Sequence, residues 1–149
     1  MKKLMLAALA ASTLAFAAPS AAFAQDQYPL KGAEWIDVTG ISIEDGGGLR
    51  YAQWLATEWR KRLDFQVEKG WIESYEIWSN TYPRENEPNL WLVVRYNDWT
   101  DDETWETRGR EMREYMAQSI AQLNEESGNR AQYRKVGSEV LIKRLVWRD

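Results

Sequence analysis

Residues 46–79 decide the fold, and they read GGGLRYAQWLATEWRKRLDFQVEKGWIESYEIWS. Three consecutive glycines open the stretch and predict a break, because glycine loses more backbone entropy in a regular element than any other residue. From Leu49 to Val67 the apolar residues recur every three or four positions, which is the spacing of one face of an amphipathic helix. Gly70 predicts the helix stop. Residues 71–80 then have the composition of a strand.

Two further strands are predicted on either side of this helix–strand unit. Residues 90–96, LWLVVRY, are apolar on both faces, which is typical of a strand that is buried from both sides. Pro83 and Pro88 predict a turn before it. Residues 34–44, EWIDVTGISIE, predict the first strand. Its apolar residues divide between two faces, with Ile36 and Val38 on one and Trp35, Thr39, Ile41 and Ile43 on the other.

The second half of the chain repeats the strand–helix–strand pattern. Residues 100–103, TDDE, have the Ser/Thr-x-x-Glu form of a capping box and predict the start of a second helix. Apolar residues follow at helical spacing from Trp105 to Leu123, and Gly128 predicts the end. Residues 139–147, EVLIKRLVW, predict the fourth strand. The predicted order is therefore β-α-β-β-α-β.

This order predicts an α+β domain with a ferredoxin-like arrangement. Right-handed crossovers place both helices on one face of a four-stranded antiparallel sheet. The other face is left without a helix, although the central strand is apolar on both sides. The simplest cover for that face is the same face of a second copy, so a homodimer is the expected partner.

The chain resembles the dimeric α/β barrel superfamily, and in particular small exported bacterial members of unassigned activity. The resemblance is carried by GGGLRYAQWL, KGWIESYEIW, VVRYNDW and RKVGSEVLIKRL, and it covers residues 34–148. It implies two ferredoxin-like protomers that pair their sheets into a barrel. The superfamily includes haem enzymes, cofactor-free monooxygenases and isomerases. This chain has no histidine to serve as the proximal haem ligand, so haem is not expected. No cofactor is predicted.

The first 24 residues predict a cleaved secretory signal peptide. Lys2 and Lys3 precede an apolar run, and Ala22-Phe23-Ala24 resembles a cleavage site. Residues 25–149 then form a single domain, expected in the periplasm or outside the cell. The chain has no cysteine, so no disulfide can stabilise the domain.

Charge and composition exclude several classes of function. The formal net charge is −4 and becomes about −6 once Lys2 and Lys3 are removed, which argues against nucleic acid and membrane surfaces as partners. Without His or Cys the chain can build neither a Ser-His-Asp or Cys-His nucleophile nor an ordinary zinc site. The acidic residues 98–103 lack the spacing of an EF-hand, and the Gly46–Gly48 turn lacks the residues of a phosphate-binding loop. No metal site is predicted.

The nine tryptophans are the outlier of the composition. In one interpretation Trp59, Trp91 and Trp105 fill the core between sheet and helices, and Trp35 lines the dimer face. In the other interpretation some of the indoles border a pocket and stack on a planar ligand or a sugar ring, the candidates being Trp35, Trp54, Trp71, Trp78 and Trp99.

The functional prediction is a small-molecule binding protein, with no catalytic residue assigned. An apolar or aromatic ligand would lie between sheet and helices. Two alternatives remain open: a cofactor-independent monooxygenase or isomerase that uses Tyr75, Arg95 and a neighbouring Trp, and carbohydrate binding through exposed Trp. Tyr75 and Arg95 are expected to meet inside the sheet region. The candidate ligand-binding residues are Tyr75, Arg95, Tyr96, Trp35 and Trp78.

Overall fold

The computed structural model describes residues 27–149, so the predicted signal peptide lies outside the described part of the chain. Within that part, no helix is long and apolar enough to cross a membrane. The elements in chain order are β1 (Leu30–Ile43), α1 (Gly48–Trp54), a π-helical turn (Leu55–Trp59), α2 (Arg60–Glu68), β2 (Ser74–Ser79), β3 (Leu90–Tyr96), α3 (Asp102–Met116), α4 (Ile120–Arg130) and β4 (Arg134–Trp147). The α+β class predicted from the sequence is confirmed.

The four strands form one antiparallel sheet in the order β2-β3-β1-β4. Because β3 is antiparallel to both of its neighbours, β1 and β2 run parallel with β3 between them. By the same reasoning β3 and β4 run parallel with β1 between them. The first strand–helix–strand unit joins β1 and β2, which lie on either side of β3. The second unit joins β3 and β4, which lie on either side of β1.

The helices pack on one face of this sheet, which we call the covered face. Leu92 and Tyr96 of β3 and Ile41 of β1 share a buried cluster there with Tyr51 and Trp59 of the helical segment. Side chains alternate along a strand, so the residues between them point the other way. The side chains on this other face, the open face, include Ile36, Val38, Glu76, Trp78, Trp91, Val93, Arg95, Val140 and Ile142.

Two tryptophans lie on the face opposite to the one predicted. Trp35 packs against the buried cluster of the covered face, with the Lys143 ammonium 4.3 Å from its ring centre. Trp91 lies on the open face, because Leu90 and Leu92 on either side of it pack towards the helices. Its ring crosses Gly40, where an added Cβ would lie 3.1 Å from Trp91 Cζ3. Trp59 and Trp105 contribute to the covered-face core as predicted.

The first helical segment buries only part of the stripe that its apolar spacing predicted, with Trp59 and Leu63 buried as expected. Leu49 and Val67 are exposed, whereas Tyr51, Leu55, Trp59 and Leu63 are buried. These four residues are spaced by four, and in an α-helix at about 100° per residue that spacing drifts by roughly 40° each turn. The π-helical turn at Leu55–Trp59 contains more residues per turn and absorbs part of the drift. The stripe therefore stays directed at the sheet.

The second helix is divided in two, and its start is shifted by one residue. Asp101, rather than Thr100, is the N-cap of α3, and its carboxylate accepts from Thr104 N at 2.8 Å. The helix stops at Ala117, which has a left-handed backbone with φ 52°. Ser119 then caps α4 in a capping box with Gln122. The predicted single helix up to Gly128 was therefore wrong at this break.

Candidate functional site

The structure distributes the predicted ligand-binding residues over both faces of the sheet. Tyr75 pairs with Val94 across β2 and β3, whereas Arg95 pairs with Ser74. Since neighbouring residues of a strand point in opposite directions, Tyr75 faces the helices and Arg95 faces away. The expectation that Tyr75 and Arg95 meet was therefore wrong. Trp35 and Tyr96 lie on the covered face with Tyr75, and Trp78 lies on the open face with Arg95.

Tyr96 is part of the covered-face core. Its ring makes edge contacts with Trp99 at 5.4 Å and Trp105 at 5.9 Å between ring centres. Burial, with a smaller contribution from the Asp37 charge, raises the pKa of the Tyr96 phenol to about 12. The phenol is therefore neutral at any physiological pH, and its contacts are those of a packing residue.

Arg95 and Trp78 belong to an ionic network on the open face. Arg95 Nε donates to Glu76 Oε1 at 3.0 Å, and Arg95 Nη1 lies 3.6 Å from Glu34 Oε1. Trp78 Nε1 donates to the other oxygen of Glu76 at 2.7 Å. Arg144 completes the network by donating to Glu34. The Arg144 hydrogen bond lowers the pKa of Glu34, and the bonds from Trp78 and Arg95 lower that of Glu76. Two carboxylates thus balance two guanidinium groups.

Tyr75 lies in a groove between the π-helical turn and the edge strand β2. We call this the β2 groove; its volume is about 620 Å³. Two alanines spaced by four, Ala52 and Ala56, leave the helical wall low enough for the groove to exist. The lining residues are Ala52, Leu55, Ala56, Trp59, Arg60, Tyr75, Ile77 and Leu90.

The polar atoms of the β2 groove come from one short chain of contacts. The Tyr75 hydroxyl donates to Asp64 Oδ1, and Asp64 Oδ2 lies 3.6 Å from Arg60 Nε. The Trp59 ring holds the Tyr75 ring edge-on at 5.2 Å between centres. Desolvation, followed by the hydrogen bond to Asp64, raises the pKa of Tyr75. The hydroxyl thus stays protonated and donates its hydrogen bond to Asp64, while its oxygen can accept a hydrogen bond from a ligand.

Sequence reasoning found Tyr75 but missed its partners. Arg60 and Asp64 are four residues apart on one helix, which is the spacing of an ion pair and was a readable signal. The π-helical turn had no such signal in the sequence.

The groups at the β2 groove that could do chemistry are the Tyr75 phenol, the Asp64 carboxylate and the Arg60 guanidinium. Across residues 27–149, no group of three or more Asp, Glu, His or Cys residues is arranged to hold a metal ion.

Comparison of the chain with protein-family models, with curated proteins and with solved structures finds no match.

Proposed function

We propose that this protein binds a small apolar or aromatic molecule that carries a hydroxyl group, and that the β2 groove is the site. The observation that carries the proposal is a groove of about 620 Å³ with mostly apolar walls and one oriented phenol. Ligand sites for small molecules have this size and this make-up, with few polar groups that set the orientation.

The contacts around Tyr75 support a ligand with a hydroxyl donor. The Tyr75 hydroxyl donates its hydrogen bond to Asp64, so the phenol oxygen offers an acceptor to the groove. The Trp59 and Leu55 side chains provide apolar contact area for an aromatic ring.

Titration of the mature protein with 1-naphthol and with naphthalene tests this proposal through tryptophan fluorescence. We expect Tyr75→Phe to weaken 1-naphthol binding about two- to ten-fold, the range for one hydrogen bond, and to leave naphthalene binding unchanged. Ala56→Trp should fill the groove and weaken both probes. Tyr82→Phe, on an exposed loop, is the matched control. Binding that is indifferent to Ala56→Trp would contradict the proposal.

The Tyr75–Asp64 pair also supports a second candidate, the cofactor-independent monooxygenase or isomerase. A phenol hydrogen-bonded to a carboxylate beside an apolar groove could take part in proton transfer with a bound phenolic substrate. Arg60, which lies on the same groove wall, would take the place that the sequence prediction gave to Arg95. Incubation of the purified protein with a phenol and O2, followed by liquid chromatography and mass spectrometry, separates turnover from binding alone. Monooxygenation would add one oxygen atom from O2, and isomerisation would give a product of equal mass and different retention time.

Carbohydrate binding gains no such support from the paired indoles and would have to use a single exposed indole, such as Trp78 or Trp147. The pairs Trp35–Trp99 and Trp99–Trp105 are each tilted by 55°, so neither offers a flat platform for a sugar ring.

We further propose that the chain has the ferredoxin-like fold of the dimeric α/β barrel superfamily and pairs through its open face. The two split strand–helix–strand units support the fold assignment. Trp78, Val140 and Ile142 expose large apolar area on the open face, which favours a partner there. The ionic network on this face is internally balanced, so its burial would require no charged group from the second copy.

Light scattering and native mass spectrometry of residues 25–149 test the dimer. Ile142→Asp should weaken dimerisation by more than about a hundred-fold, because a buried unpaired carboxylate costs several kcal/mol. Leu141→Asp is the control, since Leu141 is similarly exposed (42% against 48%) but lies on the opposite face of the same strand. A wild-type monomer at micromolar concentration, or equal effects of the two variants, would argue against pairing through the open face.

A further inference from the structure

A cluster of buried nitrogens without hydrogen-bond partners lies on the other side of the first helical segment. In the part of the chain that the structure describes, the buried side-chain polar atoms without a partner are Trp54 Nε1 and the Nε atoms of Arg62, Arg130 and Arg134. All four atoms are donors, and none is an acceptor. Native proteins rarely leave such groups unpaired, so the four together indicate a missing acceptor.

Contacts place these residues together. The Arg130 guanidinium lies over the Trp54 ring, 4.3 Å from its centre. Arg62 Nη2 donates to Gln118 Oε1 at 2.6 Å, and Gln118 Nε2 donates to Glu126 Oε1 at 3.0 Å. Glu126 Oε2 lies 3.8 Å from Arg130 Nη1. A continuous chain of contacts therefore links α2, α4 and the end of α1.

Arg134 brings a third guanidinium to this neighbourhood. It is 8% exposed, and it lies on the covered face at the start of β4, opposite Ile43. Burial lowers the pKa of Arg130, and the nearby charge of Arg134 lowers it further. Glu126 is the one carboxylate within ion-pair distance of these guanidinium groups in the described chain. Glu58 and Glu44 lie on the walls of the adjoining cavities without an ion pair to the three guanidinium groups.

The cluster borders two open cavities. A cavity of about 290 Å³ is lined by Trp54, Glu58, Glu126, Arg130 and Tyr133 among others. A second, of about 540 Å³ beside α4, is lined by Arg134, Lys135 and Glu44 among others. Both lie away from Ala52 and Ala56, the helical wall of the β2 groove.

We propose that this arginine cluster binds an oxyanion, either inorganic phosphate or the carboxylate of a small organic acid. A guanidinium with a free Nε–H can present its Nε and Nη edge to two oxygens of one anion. The Trp54 indole supplies a neutral donor beside it. The site is independent of the ligand proposed for the β2 groove.

The test is a titration of ¹⁵N-labelled mature protein with phosphate and, separately, with acetate, against sodium chloride at matched ionic strength. The resonances of the Arg Nε–H groups and of the Trp54 indole are expected to move with phosphate, with acetate or with both, and saturate. Movement with phosphate alone identifies a phosphate site, and movement with acetate identifies a carboxylate site. If both anions act no differently from chloride, water alone satisfies these donors and the proposal is overturned.

Variants locate the site. Arg134→Gln should weaken the anion that binds by about ten-fold or more, since hydrogen bonds to charged groups are the strong ones. Trp54→Phe keeps the ring and removes one donor, so it tests the site even if Arg134→Gln does not fold. Arg144→Gln on the open face is the control and should leave anion binding unchanged. Equal losses in Arg134→Gln and Arg144→Gln would also overturn the proposal.

Discussion

Replacement of Tyr51 by alanine is expected to lower the free energy of unfolding by about 3–5 kcal/mol, the cost of removing a large buried aromatic side chain. Tyr51 is 1% exposed and stacks on Trp54 at 5.5 Å between ring centres. It also contacts the ring of Tyr133, 6.4 Å away. Its loss would leave a cavity where α1, α4 and the start of β4 converge. Urea unfolding of residues 25–149, followed by tryptophan fluorescence, measures the change.

Tyr82→Ala is the matched control for this experiment. Tyr82 is 88% exposed in the loop between β2 and β3, so the same substitution should change the free energy of unfolding by less than about 0.5 kcal/mol. Similar losses in the two variants would show that Tyr51 is not the centre of the core.

Gly47→Ala is expected to destabilise the fold by about 1–3 kcal/mol or more, whereas Gly48→Ala next to it should be neutral or stabilise the fold by up to about 1 kcal/mol. A Cβ on Gly47 would lie 2.4 Å from the Tyr133 carbonyl oxygen and 3.0 Å from that of Glu44. Both atoms belong to the backbone and cannot rotate away. A Cβ on Gly48 would have no neighbour within 4 Å.

The measurement is again urea unfolding of the two variants. Their midpoints are compared on the condition that the free energy of unfolding falls with urea at the same slope in both. The difference between them isolates the close approach of backbone at Gly47, since the residues are adjacent, Gly47 as the N-cap and Gly48 as the first residue of α1. Gly47 has an ordinary helical backbone with φ −80°, so strain in φ does not contribute to its expected loss. A Gly47→Ala variant as stable as Gly48→Ala would contradict the packing described for Tyr133.

Elements that depend on local sequence were predictable. β3 occupies residues 90–96 as predicted, because the proline-containing turn before it and the apolar run define it locally. Gly70 adopts φ 67° two residues after α2 ends. The predicted helix stop therefore depends on the left-handed backbone that glycine tolerates. The α+β class followed from the order of these elements.

Features that depend on contacts between elements were not predictable. Trp35 and Trp91 were assigned to faces by size and expected burial, but the strand period of two and the neighbouring leucines decide the face. No Gly or Pro at Ala117 predicts the break between α3 and α4, and a left-handed alanine is uncommon.

Of the ligand-binding residues predicted from the sequence, one, Tyr75, lines the β2 groove. Tyr75 was chosen for its residue type and lies in the β2 groove, whereas Arg95 was chosen with it and faces the other side of the sheet. Residue type predicts the chemistry that a position could offer. Which side chains share a cavity depends on register and on the helix above, here a π-helical turn over an edge strand.

The pairing of β1 with β4 also determines how the domain responds to mechanical load. Leu30 at the start of β1 lies opposite Trp147 at the end of β4, and Arg148 N donates to Pro29 O at 2.8 Å. Antiparallel ladder bonds run perpendicular to the strands, so tension applied across these two positions loads them one after another. We therefore expect tension applied at these two positions to open the sheet from this end, one ladder bond after another.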